Sequence, residues 1–423
     1  MKKDQTKGFK EHIRVDDALD RYLREVRIER LQPEEIPVAE ALSRILAEDV
    51  NSQFDVPNFD RSAVDGYAVR SEDTYGASST SPMVFDVVGH VGIGQMPSIS
   101  VAKLQAVEIA TGAPLPNGAD SIVMLEYTER IGKDKIEVYR PVTPWGDVSR
   151  RGEDVRKGER VLMQGTFLQP QDLGILAAIG LDHVKVVRKP RVAVLSTGNE
   201  LVEPGSSVEL GKVIDVNRLI ISSLIKDVGG EPMDFGIVRD VTSDIVKRIS
   251  EGLRSSDMVL ISGGTSVGGR DLVPDAVNSL GKPGIIVHGI SMRPGKPTAL
   301  AAVGDKPVIL LPGYPVAALI AFNTFVQAVI DRMLGTSLGK VSRQTIRAKM
   351  LRRVPSRSGI RDYVRVLVTK TEIGYVAEPI RITGAGIISS MVKANGLVVI
   401  PEEVEGLEKG EEVEVTLLRS LHE

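Results

Sequence analysis

Residues 257–271 constrain the fold of this chain more than any other segment. An apolar run at residues 258–261 predicts a buried strand. The run breaks at Ser262-Gly263-Gly264-Thr265-Ser266, and a carboxylate follows at Asp271. Small residues at the carboxyl end of a buried strand let a ligand approach the main chain, and their N–H groups can converge on an anion. The alternative is a plain strand-to-helix turn, because glycine and serine are ordinary turn residues.

Two later segments favour a ligand site over a plain turn. Both follow apolar runs and combine tight turns with rigid prolines. The first contains Arg293-Pro294-Gly295-Lys296, and the second contains Gly313-Tyr314-Pro315. Loops that follow three strands of one sheet would meet at one edge, where open α/β sheets bind their ligands.

From residue 190 onward, short apolar runs alternate with helical patterns, which predicts βαβ units and a largely parallel sheet. Strands are predicted at 192–196, 235–238, 258–261, 284–288 and 308–311, with helices at 216–228, 242–253 and 316–333. The rest of the chain has a different sequence pattern. Helices are predicted at 15–27, 38–45 and 170–180, short alternating β structure at 50–139, and strands at 345–351, 361–369, 396–400 and 411–418. The last group indicates a small all-β barrel or sandwich.

Composition excludes several classes of protein. The 423 residues contain no cysteine, which rules out disulfides and thiolate chemistry and fits a reducing, cytoplasmic location. The net charge of −3 is small, and its dispersed lysines and arginines indicate neither a nucleic acid nor a membrane surface as partner. The start of the chain has no apolar segment typical of a signal peptide. The apolar stretch 316–334 is interrupted by polar residues, so we expect a buried or interface helix there and no membrane span.

Several motifs follow one another in a characteristic order. They are Ser-Thr-Gly-Asn-Glu-Leu (196–201), Ser-Gly-Gly-Thr-Ser-Val-Gly (262–268), Arg-Pro-Gly-Lys-Pro (293–297) and Pro-Gly-Tyr-Pro (312–315). Upstream lie Asp-Arg-Ser-Ala-Val-Asp-Gly-Tyr-Ala-Val (60–69), Ala-Thr-Gly-Ala-Pro-Leu-Pro-Asn-Gly-Ala-Asp (110–120) and Arg-Gly-Glu-Asp (151–154). Together they resemble the molybdopterin molybdenumtransferase (MoeA) family, which includes the C-terminal domain of gephyrin. The resemblance covers nearly the whole chain.

The resemblance implies a multidomain α/β plus β architecture. Its three-layer molybdopterin-binding α/β domain would span residues 189–337, and a C-terminal β-barrel domain would span 338–423. An inserted mostly-β domain would span 51–145. An elongated linker domain would combine an N-terminal helical segment, 1–50, with residues 146–188. Family members form elongated dimers with clefts between subunits, so a homodimer is also implied.

The reaction implied by the resemblance inserts molybdate or tungstate into adenylylated molybdopterin and releases AMP. The two oxyanions are nearly the same size and charge, so the sequence leaves open which is used. Divalent-cation assistance, by Mg²⁺, would suit cleavage of the phosphoanhydride. A partner protein could be the adenylyltransferase of the preceding step.

By resemblance, site residues divide into three groups. The catalytic candidates are Asp65, Thr111, Glu200, Asp240 and Asp271, of which Asp240 and Asp271 would hold the metal. Molybdopterin and AMP would contact Ser262, Gly263, Gly264, Thr265, Ser266, Pro294, Gly295, Lys296, Gly313, Tyr314 and Pro315. The oxyanion would contact Arg293, Lys296 and Arg361.

Each acidic candidate has a structural alternative. Asp240 and Asp271 could cap helices, Glu200 could be a solvated loop residue, and Asp65-Gly66 could be an ordinary turn. Two positions depart from the family: arginine replaces the usual lysine at Arg293, and Gly384-Ala385-Gly386 replaces Gly-Ser-Gly. Two other functions stay open, the preceding adenylylation step and a non-catalytic molybdopterin-binding scaffold.

Overall fold

The computed structural model describes residues 12–264, 272–336, 344–372, 374–381 and 384–421. The chain divides into two compact units. The first comprises Met1–Glu34 with Val187–Glu423, and the second comprises Glu35–Val186. The helix Val15–Glu25 thus belongs to the first unit, where its buried Tyr22 hydroxyl donates to the carbonyl of Ala301 at 2.9 Å.

A six-stranded sheet forms the centre of the first unit. Its strand order is Glu231–Val238, Arg191–Thr197, Met258–Ser262, Lys306–Leu311, Ala299–Val303 and Pro283–His288. The first four strands are parallel and the last two pair antiparallel. The mixed α/β fold is therefore confirmed. The strand Ala299–Val303 was not predicted; it pairs with Lys306–Leu311 across a two-residue Gly304-Asp305 turn.

Helices cover the sheet through apolar residues spaced one turn apart. Ile245 and Ile249 of the helix Thr242–Ser255 pack against Ala193 and Val259 in the central core. Three further helical segments are Asn217–Asp227, Leu272–Leu280 and the continuous stretch Pro315–Leu334, whose middle, Phe322–Val326, has π-helical hydrogen bonding.

The stretch Pro315–Leu334 is the one described helix whose length and composition would let it cross a membrane. Within the unit it is mostly buried: its side chains Phe322, Phe325, Val329 and Ile330 are fully enclosed. A buried core helix passes the same test of length and composition, so the stretch is weak evidence for a membrane span.

Five strands of the C-terminal region close into a barrel. Their order is Arg361–Thr371, Gly374–Arg381, Thr345–Met350, Glu412–Leu417 and Gly396–Ile400, and the last strand pairs back with the first. Alternate residues such as Val364, Val366 and Val368 fill the interior, as expected of strands with one buried face. The predicted C-terminal barrel is confirmed.

The second unit contains a six-stranded sheet and a smaller helical part. The sheet order is Ser121–Met124, Gly66–Val69, Gln105–Ile109, Met83–Val91, Lys135–Val138 and Thr128–Ile131. The helix Pro170–Ala178 begins with a capping box formed by Gln169 and Asp172.

The predicted helix at residues 38–45 is wrong. A single 3₁₀ turn, Val38–Glu40, is present instead. The main chain then bonds across to another segment: the N–H of Ser43 donates to the carbonyl of Leu168, and that of Leu46 donates to the carbonyl of Thr166. Both bonds measure 2.9 Å and replace the i to i−4 bonds of a helix.

Candidate functional site

A cavity of about 1180 Å³ lies in the first unit, at the carboxyl ends of three parallel strands. Thr197, Ser262 and Pro312 mark those strand ends on its wall. Residues from all three predicted ligand-binding loops line it. They are Ser262, Gly263 and Gly264; Lys296 and Pro297; and Pro312, Gly313, Tyr314 and Pro315. One cavity therefore brings these segments together.

The Ser-Gly-Gly turn requires its glycines. Gly263 and Gly264 have φ angles of 94° and 65°, a region that side chains disfavour. A Cβ on Gly263 would also lie 2.4 Å from the carbonyl oxygen of Thr197. The N–H of Gly263 is donated to the carbonyl of Leu311 at 3.1 Å, so this particular N–H does not point at a ligand.

Glu200 lines the cavity in a loop that several contacts hold in place. The Asp240 carboxylate accepts the N–H of Asn199 at 3.2 Å, and the Asn199 side chain accepts the N–H of Asp240 at the same distance. The ammonium of Lys212, which also lines the cavity, donates to the carbonyl of Asn199 at 2.8 Å. Asp240 itself does not line the cavity. Its observed contacts position the loop that carries Glu200.

Lys296 lines the cavity, whereas Arg293, Pro294 and Gly295 do not. Arg293 forms a bidentate ion pair with Asp362 of the barrel, whose side chain is only 4% exposed; one of the two bonds measures 2.6 Å. The short strand Met292–Arg293 also pairs with the first strand of the barrel.

Arg361 is likewise engaged by carboxylates. Its guanidinium donates to Glu402 at 3.0 Å and to both oxygens of Asp16, at 2.9 and 2.6 Å. The hydrogen bonds to Asp16 and Glu402 raise the pKa of Arg361. The bonds between Arg361 and Asp16 also lower the pKa of the Asp16 carboxyl. Neither Arg361 nor Arg293 lines the cavity, and both guanidinium groups are paired with carboxylates.

The cavity lining also includes Lys212, Asp215 and Asn217, which were not recognised as site residues from the sequence. Asp215 and Asn217 are buried, with 3% and 5% of their surface exposed. The Asn217 amide donates to the Ser262 hydroxyl and to the carbonyl of Gly313, both at 2.8 Å, and so ties two strand ends together. An Asp-x-Asn sequence at the start of a helix resembles ordinary capping residues, and only the distant hydrogen-bond partners of Asn217 distinguish it.

Asp65 and Thr111 are adjacent in the second unit. The N–H of Thr111 donates to the Asp65 carboxylate at 2.8 Å. Hydrogen bonds from the backbone and then the side chain of Thr111 lower the pKa of Asp65, which favours its ionised form. Asp65 and Thr111 are both exposed.

The predicted site residues Thr265, Ser266 and Asp271 lie outside the described residues. Within the described part of the chain, no group of three or more histidines, aspartates and glutamates has the arrangement of a metal site. The Gly384-Ala385-Gly386 loop reaches the cavity: Gly386 lines it, and the carbonyl of Ala385 accepts the N–H of Val316 at 3.0 Å.

An open α/β sheet with a cavity at its carboxyl edge defines a ligand-binding α/β protein. Comparison with known families specifies the class further. Residues 13–180 match the MoeA N-terminal region (domain I and II), residues 193–332 a probable molybdopterin binding domain, and residues 347–418 the MoeA C-terminal region (domain IV). The chain belongs to the MoeA family, as its motifs predicted.

Individual relatives resemble the chain over nearly its full length. A molybdopterin biosynthesis protein of Methanocaldococcus jannaschii is 38% identical, over 96% of each chain. A molybdopterin molybdenumtransferase of Bacillus subtilis is 32% identical, over 92% of this chain and 90% of the relative. The crystal structure of a molybdopterin biosynthesis MoeA protein from Pyrococcus horikoshii matches with a TM-score of 0.83 and 38% identity, covering 97% of this chain and all of that one.

Proposed function

We propose that this chain is a molybdopterin molybdenumtransferase, which inserts molybdate or tungstate into adenylylated molybdopterin and releases AMP. The observation that carries the proposal is the full-length family membership, joined to a cavity lined by Lys212, Lys296 and Glu200. The same membership supports the predicted role in molybdenum cofactor biosynthesis and the predicted class, a transferase. It does not favour adenylylation of molybdopterin or a non-catalytic scaffold.

The lysines provide the positive charge that the reaction needs. The substrate carries phosphate groups and the second substrate is an oxyanion, so cations at the cavity wall stabilise both. Lys296 lies in a short rigid segment, where the hydroxyl and N–H of Thr298 both bond to the carbonyl of Gly295, at 2.6 and 3.0 Å. A rigid loop loses little entropy when it binds an anion. We assign the oxyanion and phosphate contacts to Lys296 and Lys212.

Mg²⁺ would be held by Asp240 together with Asp271, as the resemblance implies. Mg²⁺ usually keeps several waters and takes only one or two protein carboxylates, so it needs no larger acidic cluster. Asp240 fits such a role, because it is half-buried and uses one carboxylate oxygen to hold the N–H of Asn199. When bound, the ion would neutralise charge on phosphoryl oxygens.

We also propose that Asp65 and Thr111 contact the substrate during the same reaction, and that the chain acts in the cytoplasm as a homodimer. Two-fold dimers are the commonest soluble assembly. Sedimentation velocity should give twice the mass of the chain, and a single-chain mass at micromolar concentration would refute the dimer. A complex with the adenylyltransferase that supplies the substrate would fit the reactivity of an adenylylated intermediate.

The decisive experiment follows AMP release from adenylylated molybdopterin, with Mg²⁺ and with molybdate or tungstate in turn. We expect AMP release that depends on the oxyanion. Release of pyrophosphate from ATP and molybdopterin would instead identify the adenylylation step, and binding without turnover would identify a scaffold.

Asp240→Asn tests the acidic assignment within this assay. The change keeps the size of the side chain and removes its charge, so turnover should fall at least ~100-fold, as for loss of an electrostatic stabiliser. Asp244→Asn is the matched control, because Asp244 is an exposed aspartate in the first turn of the helix that follows. Equal rates for the two variants across a Mg²⁺ titration would contradict the role of Asp240.

A further inference from the structure

A histidine from the N-terminal segment lines the cavity of the first unit. Among the described lining residues, His12 is the only histidine. It lies three residues before the helix Val15–Glu25 and belongs to none of the motifs from which the site was predicted. Because an exposed histidine is often just a solvated surface residue, the case for a role depends on what holds it at the cavity and on the charges around it.

Main-chain hydrogen bonds fix the segment that carries this histidine beside the Lys296 loop. The N–H of Ile13 donates to the carbonyl of Gly289 at 3.4 Å, and the Ile13 carbonyl accepts the N–H of Ser291 at 2.8 Å. Ile290, which lies between them, donates its N–H to the carbonyl of Lys296 at 2.9 Å. One short stretch of chain is therefore bonded on one side to the N-terminal segment and on the other to the loop, and both of these contribute a side chain to the cavity wall.

The helix that follows anchors the N-terminal segment to the same unit. Its buried Tyr22 bonds to a carbonyl of the central sheet, and its Asp16 accepts two hydrogen bonds from Arg361 of the barrel. His12 is thus held by bonded neighbours on its carboxyl side. A residue fixed in this way loses little entropy when it binds a ligand.

The charges on the cavity wall leave room for a further cation. The other ionisable lining residues in the described part of the chain are Glu200, Lys212, Asp215, Lys296 and Tyr314. The two carboxylates and the two ammonium groups balance one another, and a tyrosine hydroxyl is uncharged near neutral pH. The proposed substrates carry several negative charges. A protonated histidine would give this wall a net positive charge and so favour their binding.

Other charged groups on the segments next to His12 do not line the cavity. Arg14 pairs with Glu403, Asp16 pairs with Arg361, and His288, which precedes the bonded stretch, is partly buried. Lysine ordinarily keeps its charge well above pH 8, whereas histidine ordinarily gains or loses it between about pH 5 and 8. A change in anion affinity over this range therefore reports on histidine rather than on the lysines of the wall.

We propose that His12, when protonated, joins Lys296 in binding a phosphate or oxyanion group of the substrates. The inference rests on the proposed function, which supplies both kinds of anion. His12 donates an N–H to the anion and adds a positive charge beside it, as in other charge-assisted hydrogen bonds. This contribution is present at low pH and is lost as the imidazole gives up its proton.

The experiment measures the affinity of the intact chain for AMP and, separately, for molybdate by calorimetric titration at about pH 6 and about pH 8.5, a range in which histidine ordinarily changes charge. His12→Asn keeps a polar side chain but cannot be charged. Near pH 6 the wild type should bind at least one of the two anions about tenfold more tightly than His12→Asn, the scale of a charge-assisted hydrogen bond. Near pH 8.5 the two proteins should differ less than about twofold, because the imidazole is then neutral.

Comparing the two proteins at each pH removes the titration of the ligand itself. The second pKa of a phosphate monoester is about 6, so the affinity for AMP changes with pH in any protein, but the ratio of two affinities for the same ligand does not contain this change. His12→Lys gives a second test. It keeps a cation at this position, so its advantage over His12→Asn should persist near pH 8.5.

Arg14→Gln is the matched control. It removes a positive charge two residues away, and Arg14 is exposed and does not line the cavity. Its affinities for both anions should stay within about twofold of those of the wild type, as expected for a solvent-screened charge. All three variants should melt at the wild-type temperature, because both changed side chains are exposed.

The anion that responds identifies the contact: a loss for AMP alone assigns His12 to phosphate, and a loss for molybdate alone assigns it to the oxyanion. The inference is wrong if His12→Asn binds both anions as tightly as the wild type near pH 6, if its loss is as large near pH 8.5, or if Arg14→Gln shows the same loss. None of these results affects oxyanion-dependent AMP release. Absence of that release in the wild type would refute the proposed function instead, and the binding comparison would stand.

Discussion

Arg361 was predicted to bind the oxyanion, but in the structure it forms ion pairs with Asp16 and Glu402. A substitution at Arg361 separates the two roles, because loss of the ion pairs destabilises the barrel and loss of an oxyanion contact changes AMP release. The Arg361 side chain is 17% exposed, and that of its partner Glu402 only 3%, whereas Asp16 is 71% exposed. Arg361→Met keeps most of the side-chain length but leaves the buried Glu402 without its counter-charge. Breaking a buried pair from one side typically costs ~3–5 kcal/mol. Because Arg361 retains some contact with water, we expect the lower end, ~3 kcal/mol.

Hydrogen exchange of the strand Arg361–Thr371, followed by mass spectrometry, measures this loss locally. A change of ~3 kcal/mol corresponds to exchange that is about 150-fold faster for the most protected amides, at ~1.4 kcal/mol per factor of ten. Arg361→Met combined with Glu402→Gln should recover much of the loss, because no buried charge then remains unpaired.

Arg347→Met is the matched control in the same barrel. Arg347 pairs with Glu412 at 3.3 Å, but the two side chains are 78% and 53% exposed, so its removal should cost less than ~1 kcal/mol. Exchange that is no faster in Arg361→Met than in Arg347→Met would refute the structural role. If Arg361→Met instead raised the molybdate concentration needed for half-maximal AMP release, with unchanged exchange, the oxyanion role would stand.

Two further predictions concern Lys296 and Asp257. Lys296→Ala should weaken binding of AMP or molybdopterin in calorimetric titration by up to ~3 kcal/mol, the scale of a charge-assisted hydrogen bond, with an unchanged thermal transition; unchanged affinity would remove Lys296 from the site. Asp257 has its pKa raised by burial but lowered more by Arg188, which donates to both its oxygens at 2.7 Å, and by the N–H of Arg191. Its folded-state pKa thus lies below the unfolded value of 3.8, so its contribution to stability is complete above that value and is lost as pH falls through the folded pKa. Melting temperatures measured from pH 6 down to about pH 3 should fall more steeply for the wild type than for Asp257→Asn, and parallel curves would contradict this assignment.

The strands of the central sheet could be predicted because burial on both faces selects continuous apolar runs. All five predicted runs are strands, and the residues that follow three of them line one cavity. The incorrect prediction of a helix at 38–45 shows the limit of predicting structure from apolar spacing. Its apolar residues have helical spacing, but the hydrogen-bond partners of Ser43 and Leu46 lie more than 100 residues further along the chain.

The same limit applies to the site. Glu200 and Lys296 could be recognised because family motifs surround them, and both line the cavity. Asn217 could not, because its importance arises from Ser262 and Gly313, which are 45 and 96 residues away in sequence. The engagement of Arg361 by Asp16 spans 345 residues, so no local pattern could reveal that its charge is already matched.

At position 293 this chain has arginine where the family usually has lysine, and the chemistry of the two side chains gives a physical reason for the difference. A planar guanidinium can donate two parallel hydrogen bonds to one carboxylate, and Arg293 does so with the buried Asp362. A lysine ammonium is a point charge on a flexible stem and would make a single, less directional contact there. The arginine therefore joins the loop that carries Lys296 to the barrel, where Asp362 is further held by the Ser356 hydroxyl at 2.6 Å. Neither of the two predicted arginines lines the cavity, whereas Lys212 and Lys296 do. A lysine side chain can adjust to successive anions, which suits a site that must bind phosphate groups, accept an oxyanion and then release AMP.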